Sequence, residues 1–270
     1  GPALGGFVGA WNPRAPFWVA AALAFANGLY GLFIVPESLS HERRAPFRWS
    51  RANPIGAVGL LISKAGLLGM AGIYFLAQLS NQTFSVFQFY THFRYGWGPF
   101  QVGLLLMVLG GGGILIQGSV AGMASRRLGE RGAVLVGTAL ALVAFIVAGL
   151  APTQAWFWVS MMIFIIAGIT FPSLASLLSK RVGVDQQGQL QGALAILFGV
   201  TGLVGPLVFS NIFAWSIGTG GWLRLPGLSM LIGGLVTLVG LGMAFFYARP
   251  TEAERNAAMI APEIPLTKGH

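Results

Sequence analysis

From Gly132 to Ser179 the chain runs through forty-eight residues without one Asp, Glu, Lys or Arg. Three more charge-free stretches follow the same rule: Tyr95–Ser125, Gln186–Leu223 and Leu225–Ala248. A water-soluble fold of that length needs charge on its surface. A helix crossing a hydrocarbon core of about 30 Å needs roughly 20 apolar residues and no charge. The lengths of the gaps therefore predict membrane spans over Phe100–Ala121, Gly132–Leu150, Ala155–Ser179, Gly192–Trp215 and Leu225–Tyr247. Two further spans, Ala15–Val35 and Gly66–Tyr90, precede them, and Gly1–Ala10 reads as the last half of another helix. The expectation is an all-α polytopic membrane protein with seven full transmembrane helices plus a partial one, its native chain extending further upstream.

Composition agrees. Charged residues are 9% of the chain, against about a quarter in soluble domains, and hydrophobic residues are 55%. The mean hydropathy is +0.75. The net charge of +9 would suit nucleic acid, but its placement argues against that partner. If successive spans alternate in direction, thirteen of the sixteen Lys and Arg fall on one side, and only Arg14, Arg94 and Arg224 on the other. That asymmetry is the positive-inside pattern, and it puts the C-terminus in the cytoplasm.

Several functions lack their chemistry here. With no cysteine there is neither a disulfide nor a thiolate metal site, and no metal or catalytic constellation is expected. No His-Glu-x-x-His, Gly-x-Ser-x-Gly or paired intramembrane carboxylate occurs, which argues against an enzyme. A channel needs a carbonyl filter or a charged ring; Gly110–Gly113, the longest glycine run, reads better as close helix packing.

The organisation expected is four-part. Residues 1–35 end one helical bundle, and 36–65 form a basic linker carrying Pro36, Pro46 and Pro54 with a weakly amphipathic end at Ile55–Leu61. Residues 66–248 make a six-helix bundle, and 249–270 a polar tail. Gly1-Pro2 recurs as Gly205-Pro206, Ala10-Trp11 as Ala214-Trp215, and Trp18 as Trp222, all at an offset of 204. Such spacing suits two six-helix halves related as repeats, with Gly202, Gly205 and Pro206 as the second-half counterpart of the first ten residues.

These residues carry a resemblance. Gly1-Pro2-Ala3-Leu4-Gly5-Gly6 resembles the end of the antiporter motif of major facilitator drug/proton antiporters, the motif residues being Gly1, Pro2, Gly5 and Gly6. Pro13–Trp18, Pro36-Glu37-Ser38, Arg127–Arg131 and Gln187–Gly192 resemble the tetracycline-resistance branch. The resemblance implies the C-terminal portion of a twelve-helix transporter, from the end of helix five onward, multi-pass in a bacterial inner membrane. It implies export of an amphipathic drug-like compound, tetracycline among the candidates, in exchange for protons by alternating access. It calls for no cofactor beyond the proton gradient; the partners implied are a small-molecule substrate and the lipid bilayer, and the chain is expected to be a monomer. The alternative within the same fold is a carrier of a sugar, metabolite or other non-drug solute. Gly122, Arg127, Gly129 and Arg131 match the basic loop that repeats in each half of such proteins, but Arg126 stands where full versions carry Asp. Gly113 stands where some tetracycline-branch members carry His, one turn before the Gln matching Gln117.

The candidate substrate face comes from spacing. Gln78, Asn81, Gln82, Ser85 and Gln88 recur every three or four residues, so an α-helix would put them on one side. Unpaired amides cost several kcal/mol each against lipid, so this side should meet protein or a water-filled cavity. Tyr74 adds an aromatic surface, and Gln117 in the next span is a further candidate. Intramembrane carboxylates or histidines are the usual proton relays; here every Asp and Glu lies outside the expected spans, so these helices alone should not couple transport to protons.

Overall fold

The computed structural model describes residues 8, 12, 14–35, 54–63, 65–218 and 225–248, with backbone alone at 54–57 and 65. All regular structure among them is helical. The α-helices are α1 (Ala15–Phe33), α2 (Pro54–Ile62), α3 (Ala65–Asn81), α4 (Phe87–Tyr95), α5 (Pro99–Leu115), α6 (Ala121–Leu150), α7 (Gln154–Ala167), α8 (Thr170–Lys180), α9 (Gln187–Ile217) and α10 (Leu228–Tyr247). A 3₁₀ turn, Gln82–Val86, joins α3 to α4, and a π turn, Ile116–Val120, joins α5 to α6.

The breaks follow local chemistry. The rod α4 stops at Gly96, whose φ of 67° is the left-handed conformation that glycine adopts without strain. Then α5 opens with Pro99 in its first turn, while the Gln101 side chain accepts from the Gly98 N–H at 3.0 Å. Inside α6, Gly129 has φ 71° and ψ 161°, a region open in practice to glycine alone, and the helix turns a corner there. Between α7 and α8, Pro172 has no N–H to give the Gly168 carbonyl four residues earlier, and the chain leaves α geometry at Gly168-Ile169.

Five helical stretches are long and apolar enough to cross a bilayer: Ala15–Phe33, Pro99–Leu150, Gln154–Lys180, Val184–Ile217 and Leu228–Tyr247. The second bends at Gly129 and makes two passes. Ala65–Tyr95 is helical throughout and roughly 45 Å long at about 1.5 Å per residue, long enough to be a seventh; its amides make it less apolar than the rest. The seven crossings are those drawn from the charge gaps, with ends displaced by a few residues. The expectation that Ser85 and Gln88 continue an unbroken α-helix is corrected, since the 3₁₀ turn intervenes.

Alternation is visible at both ends of the bundle. At one end, Glu130, Arg131, Lys180 and Arg181 meet the C-terminus of α10. The Lys180 ammonium lies 2.8 Å from the Glu130 carboxylate, which also accepts from the Ser176 hydroxyl. Arg131 donates to the Phe245 carbonyl at 3.1 Å with its guanidinium over the Phe245 ring, and Arg181 donates to the Tyr247 carbonyl at 3.3 Å. These carbonyls lie in the last turn of α10, where the helix offers no N–H to them and the dipole favours a cation. At the opposite end, Tyr90 donates to the Ala148 carbonyl at 2.9 Å, Tyr95 to Ala151 at 3.2 Å, and Trp97 to the Gln154 amide oxygen at 3.2 Å.

Between the ends, α10 packs on α6 and α3, α6 on α7 and α8, and α9 on α2, α3 and the 3₁₀ turn. Two cores result. Toward the basic end Leu67, Met70, Ile73, Leu174, Leu178 and Leu190 are fully buried; toward the other, Tyr90, Phe157, Phe209 and Met230 form an aromatic-rich cluster. Lipid tails are as apolar as leucine, so what holds these helices together is close packing and interhelical hydrogen bonds rather than expulsion of water. In contrast, α1 buries none of its residues among those described.

Candidate functional site

The polar residues from Gln78 to Gln88 sit where α3 gives way to the 3₁₀ turn. Up to Asn81 the chain advances 3.6 residues per turn; from Gln82 to Val86 it advances three. Residues three apart eclipse in a 3₁₀ helix, so Gln82 and Ser85 stack in one column, and Gln88 follows three residues on in the first turn of α4. Gln78, one α turn before Gln82, lies close to the same line. Ser85 and Gln88 are exposed, and Gln82 and Gln78 are half-buried.

Each side chain has its own surroundings. The Gln78 amide donates to the Tyr74 hydroxyl at 2.9 Å, and the Tyr74 ring meets Phe171 of α8 edge-on at 6.2 Å. Ser85 donates to the Gln82 carbonyl at 2.7 Å. Asn81 turns the other way, into a void of about 50 Å³ inside the bundle, bounded also by Ser80, Thr138, Phe164, Thr170 and Thr237. Asn81 thus departs from the single stripe of five, because its neighbours straddle the change of pitch.

The 3₁₀ turn is pinned on both flanks by glycine. A Cβ at Gly205 of α9 would overlap the Cβ and Cγ of Gln82, and one at Gly233 of α10 would come within 2.6 Å of the Thr83 methyl. Pro206 follows Gly205 inside α9, which continues through it as a 31-residue helix. The Gly205-Pro206 pair and the amide column lie more than a hundred residues apart in the sequence; the fold sets Gln82 against Gly205. Nothing in the spacing of either segment signalled that contact, since it depends on how α9 crosses α3. Gly202 is exposed with open space around it.

The remaining candidates lie elsewhere. Gln117 is exposed on the π turn, which packs chiefly against α5 and α6. An added Cβ at Gly113 would be 4.0 Å from the Gln117 amide nitrogen, so that stretch of α5 has room for a larger residue. In the basic loop, Gly129 makes the corner, Arg131 caps α10, Arg126 donates to the Gly122 carbonyl at 3.3 Å, and Arg127 is exposed. Gly1, Pro2, Gly5 and Gly6 lie outside the described residues. Among the described residues no group of three His, Asp or Glu could hold a metal ion.

A family model, the Major Facilitator Superfamily, matches residues 1–206. The chain belongs to the major facilitator superfamily. It is thus a multi-pass membrane protein of a transporter family, not an enzyme. Among the relatives of this major facilitator protein are the class C and class E tetracycline resistance proteins of Escherichia coli. The class C protein is 34% identical over 89% of this chain and 60% of its own length; the class E protein is 33% identical over 88% and 59%. The crystal structure of the human organic anion transporter MFSD10 superposes with a TM-score of 0.74 at 23% identity, over 90% of this chain and 60% of that one, which shows the fold. The chain spans about 60% of the length of the curated relatives it matches.

Proposed function

We propose that the protein exports an amphipathic, drug-like compound, tetracycline among them, in exchange for protons. The observation that carries this reading is the run of tetracycline resistance proteins at 32–34% identity over 84–89% of the chain. The amide column supports it. Gln78, Gln82, Ser85 and Gln88 offer donors and acceptors in line, with Tyr74 beside them, the mixture that a flat molecule with a polar edge needs. In this reading the column faces the second helical bundle across a midplane cavity, and the two bundles rock about it.

The rest of the assignment follows from charge. Arg131, Lys180 and Arg181 mark the cytoplasmic end and the C-terminus lies on that side; the Escherichia coli relatives, rather than charge, support the bacterial inner membrane. The titrating groups belong to helices outside this stretch, because Glu130 and Asp185 sit at helix ends and His92 is in the last turn of α4 with Nδ1 3.0 Å from the Trp97 carbonyl oxygen.

The open space at Gly113 favours a second reading, a major facilitator carrier whose solute is not tetracycline. Uptake of tetracycline into energised inside-out vesicles separates them. Accumulation that collapses with a protonophore supports the first reading; none, alongside proton-coupled accumulation of another solute, supports the second.

A further inference from the structure

Asn81 is the last residue of α3, and the 3₁₀ turn begins on the next. Its side chain makes no cap bond to that turn and bonds to no other group among the described residues. A primary amide brings two N–H donors and an oxygen with two lone pairs, and inside a bundle surrounded by lipid an unpaired polar group costs several kcal/mol. The void of about 50 Å³ that Asn81 borders lies between α3, α6, α7, α8 and α10. The other polar groups around it have acceptors left over. Thr138, Thr170 and Thr237 donate their hydroxyl hydrogens to the carbonyls of Val134, Ala167 and Gly233 at 2.7, 2.9 and 2.9 Å, and Ser80 donates to Leu76 at 2.9 Å. Each hydroxyl has thus used its one donor and keeps a lone pair. Gly168 also borders the void, and Pro172 has no N–H to give its carbonyl.

We propose that this void is a hydration site, in which ordered waters bridge the Asn81 amide to the hydroxyl oxygens of α6, α8 and α10 and to the Gly168 carbonyl. The balance of donors and acceptors selects the occupant. Acceptors outnumber donors around the void, and water supplies two donors while still accepting from the Asn81 N–H groups. An apolar occupant would leave the amide unpaired. A cation would meet oxygen ligands, but no Asp or Glu borders the void to offset its lost hydration. A buried water needs roughly 10–15 Å³ and makes about three hydrogen bonds, so there is room for about three. Ordered water is also one of the means by which a transmembrane helix satisfies backbone groups that proline frees. The waters take the place of the cap bond that Asn81 does not make, and they tie the end of α3 to three other helices at the point where its pitch changes. The site is independent of the transported compound.

The test is X-ray hydroxyl-radical footprinting of the full-length protein in lipid nanodiscs, with the oxidation of each phenylalanine read by mass spectrometry. Radicals form wherever water is held, so a covered ring beside bound water is oxidised and a ring in a dry core is not. Phe145 borders the void and is 3% exposed, while Phe157, which does not border it, is 0% exposed. Oxidation of Phe145 should exceed that of Phe157 several-fold. Asn81→Leu, close to isosteric, should bring Phe145 down toward Phe157. Thr237→Val, which keeps the side chain's shape and removes one acceptor, should lower it as well. Equal oxidation of Phe145 and Phe157 in the unaltered protein overturns the proposal, and that comparison needs no variant to fold. Oxidation of Phe145 that keeps its original level in both variants overturns it too, since the water is then held by other groups.

Discussion

Replacing Gly205 by Ala inserts one methyl group at the tightest crossing of the amide column. That methyl would overlap the Cβ and Cγ of Gln82; the Cβ is fixed by the backbone, so no side-chain rotation clears the overlap. Carbon atoms rest about 3.5–4.0 Å apart, so α9 and the 3₁₀ turn must part by roughly an ångström. Overpacking of this kind costs about 1–3 kcal/mol, and the displaced segment is the one that carries Gln82, Ser85 and Gln88. Thermal unfolding of the full-length protein in mild detergent should fall by several degrees for Gly205→Ala. Gln82→Gly in the same background removes the overlapping atoms. The double variant should therefore be more stable than the two single effects add up to, by about 1–2 kcal/mol. Gly202→Ala, in open space, is the control and should cost a few tenths of a kcal/mol at most. An unchanged Gly205→Ala protein, or strictly additive single effects, would refute the packing argument.

Gln78→Leu with Gln82→Leu should abolish transport while leaving the amount of protein in the membrane unchanged, as measured by uptake and immunoblot together. Gly129→Ala forces an L side chain to φ 71°, ψ 161°, which should cost about 1–3 kcal/mol and lower the unfolding temperature, whereas Gly122→Ala should not. Glu130→Gln leaves Lys180 without its partner; because Lys180 is 57% exposed, the loss should stay within about 1 kcal/mol and shrink further in high salt.

The number and direction of the helices were legible because lipid enforces a simple rule: a charge-free run of sufficient length crosses, and basic residues gather at one end. Charge runs say nothing of backbone pitch inside a span. The 3₁₀ turn at Gln82–Val86 and the π turn at Ile116–Val120 contain no Pro and only one Gly, Gly118, so no local signal marks them. An α periodicity therefore gathers Asn81 with Gln82 when the fold divides them between an inner void and the Gly205 contact. Gly129 read as part of a loop and serves as a corner between two helices. Glu130, assigned to that loop by its charge, joins Lys180 and Ser176 across helices forty-six and more residues apart, a contact no spacing rule contains. Gly205 illustrates the converse. The motif could be picked out along the chain, but the partner that makes its lack of a side chain necessary came only from the crossing of α9.

If this major facilitator protein exchanges a drug-like compound for protons, with the amide column touching the compound, one assay shows both. Proton release from energised inside-out vesicles containing the full-length protein tests it most directly, with a pH-sensitive dye as reporter and tetracycline as the added compound. Release is expected on adding tetracycline, and none from the Gln78→Leu/Gln82→Leu variant at equal abundance. Release that persists undiminished in the variant would contradict the assignment of the amide column, and no release from the unaltered protein with any amphipathic drug would contradict the exchange itself.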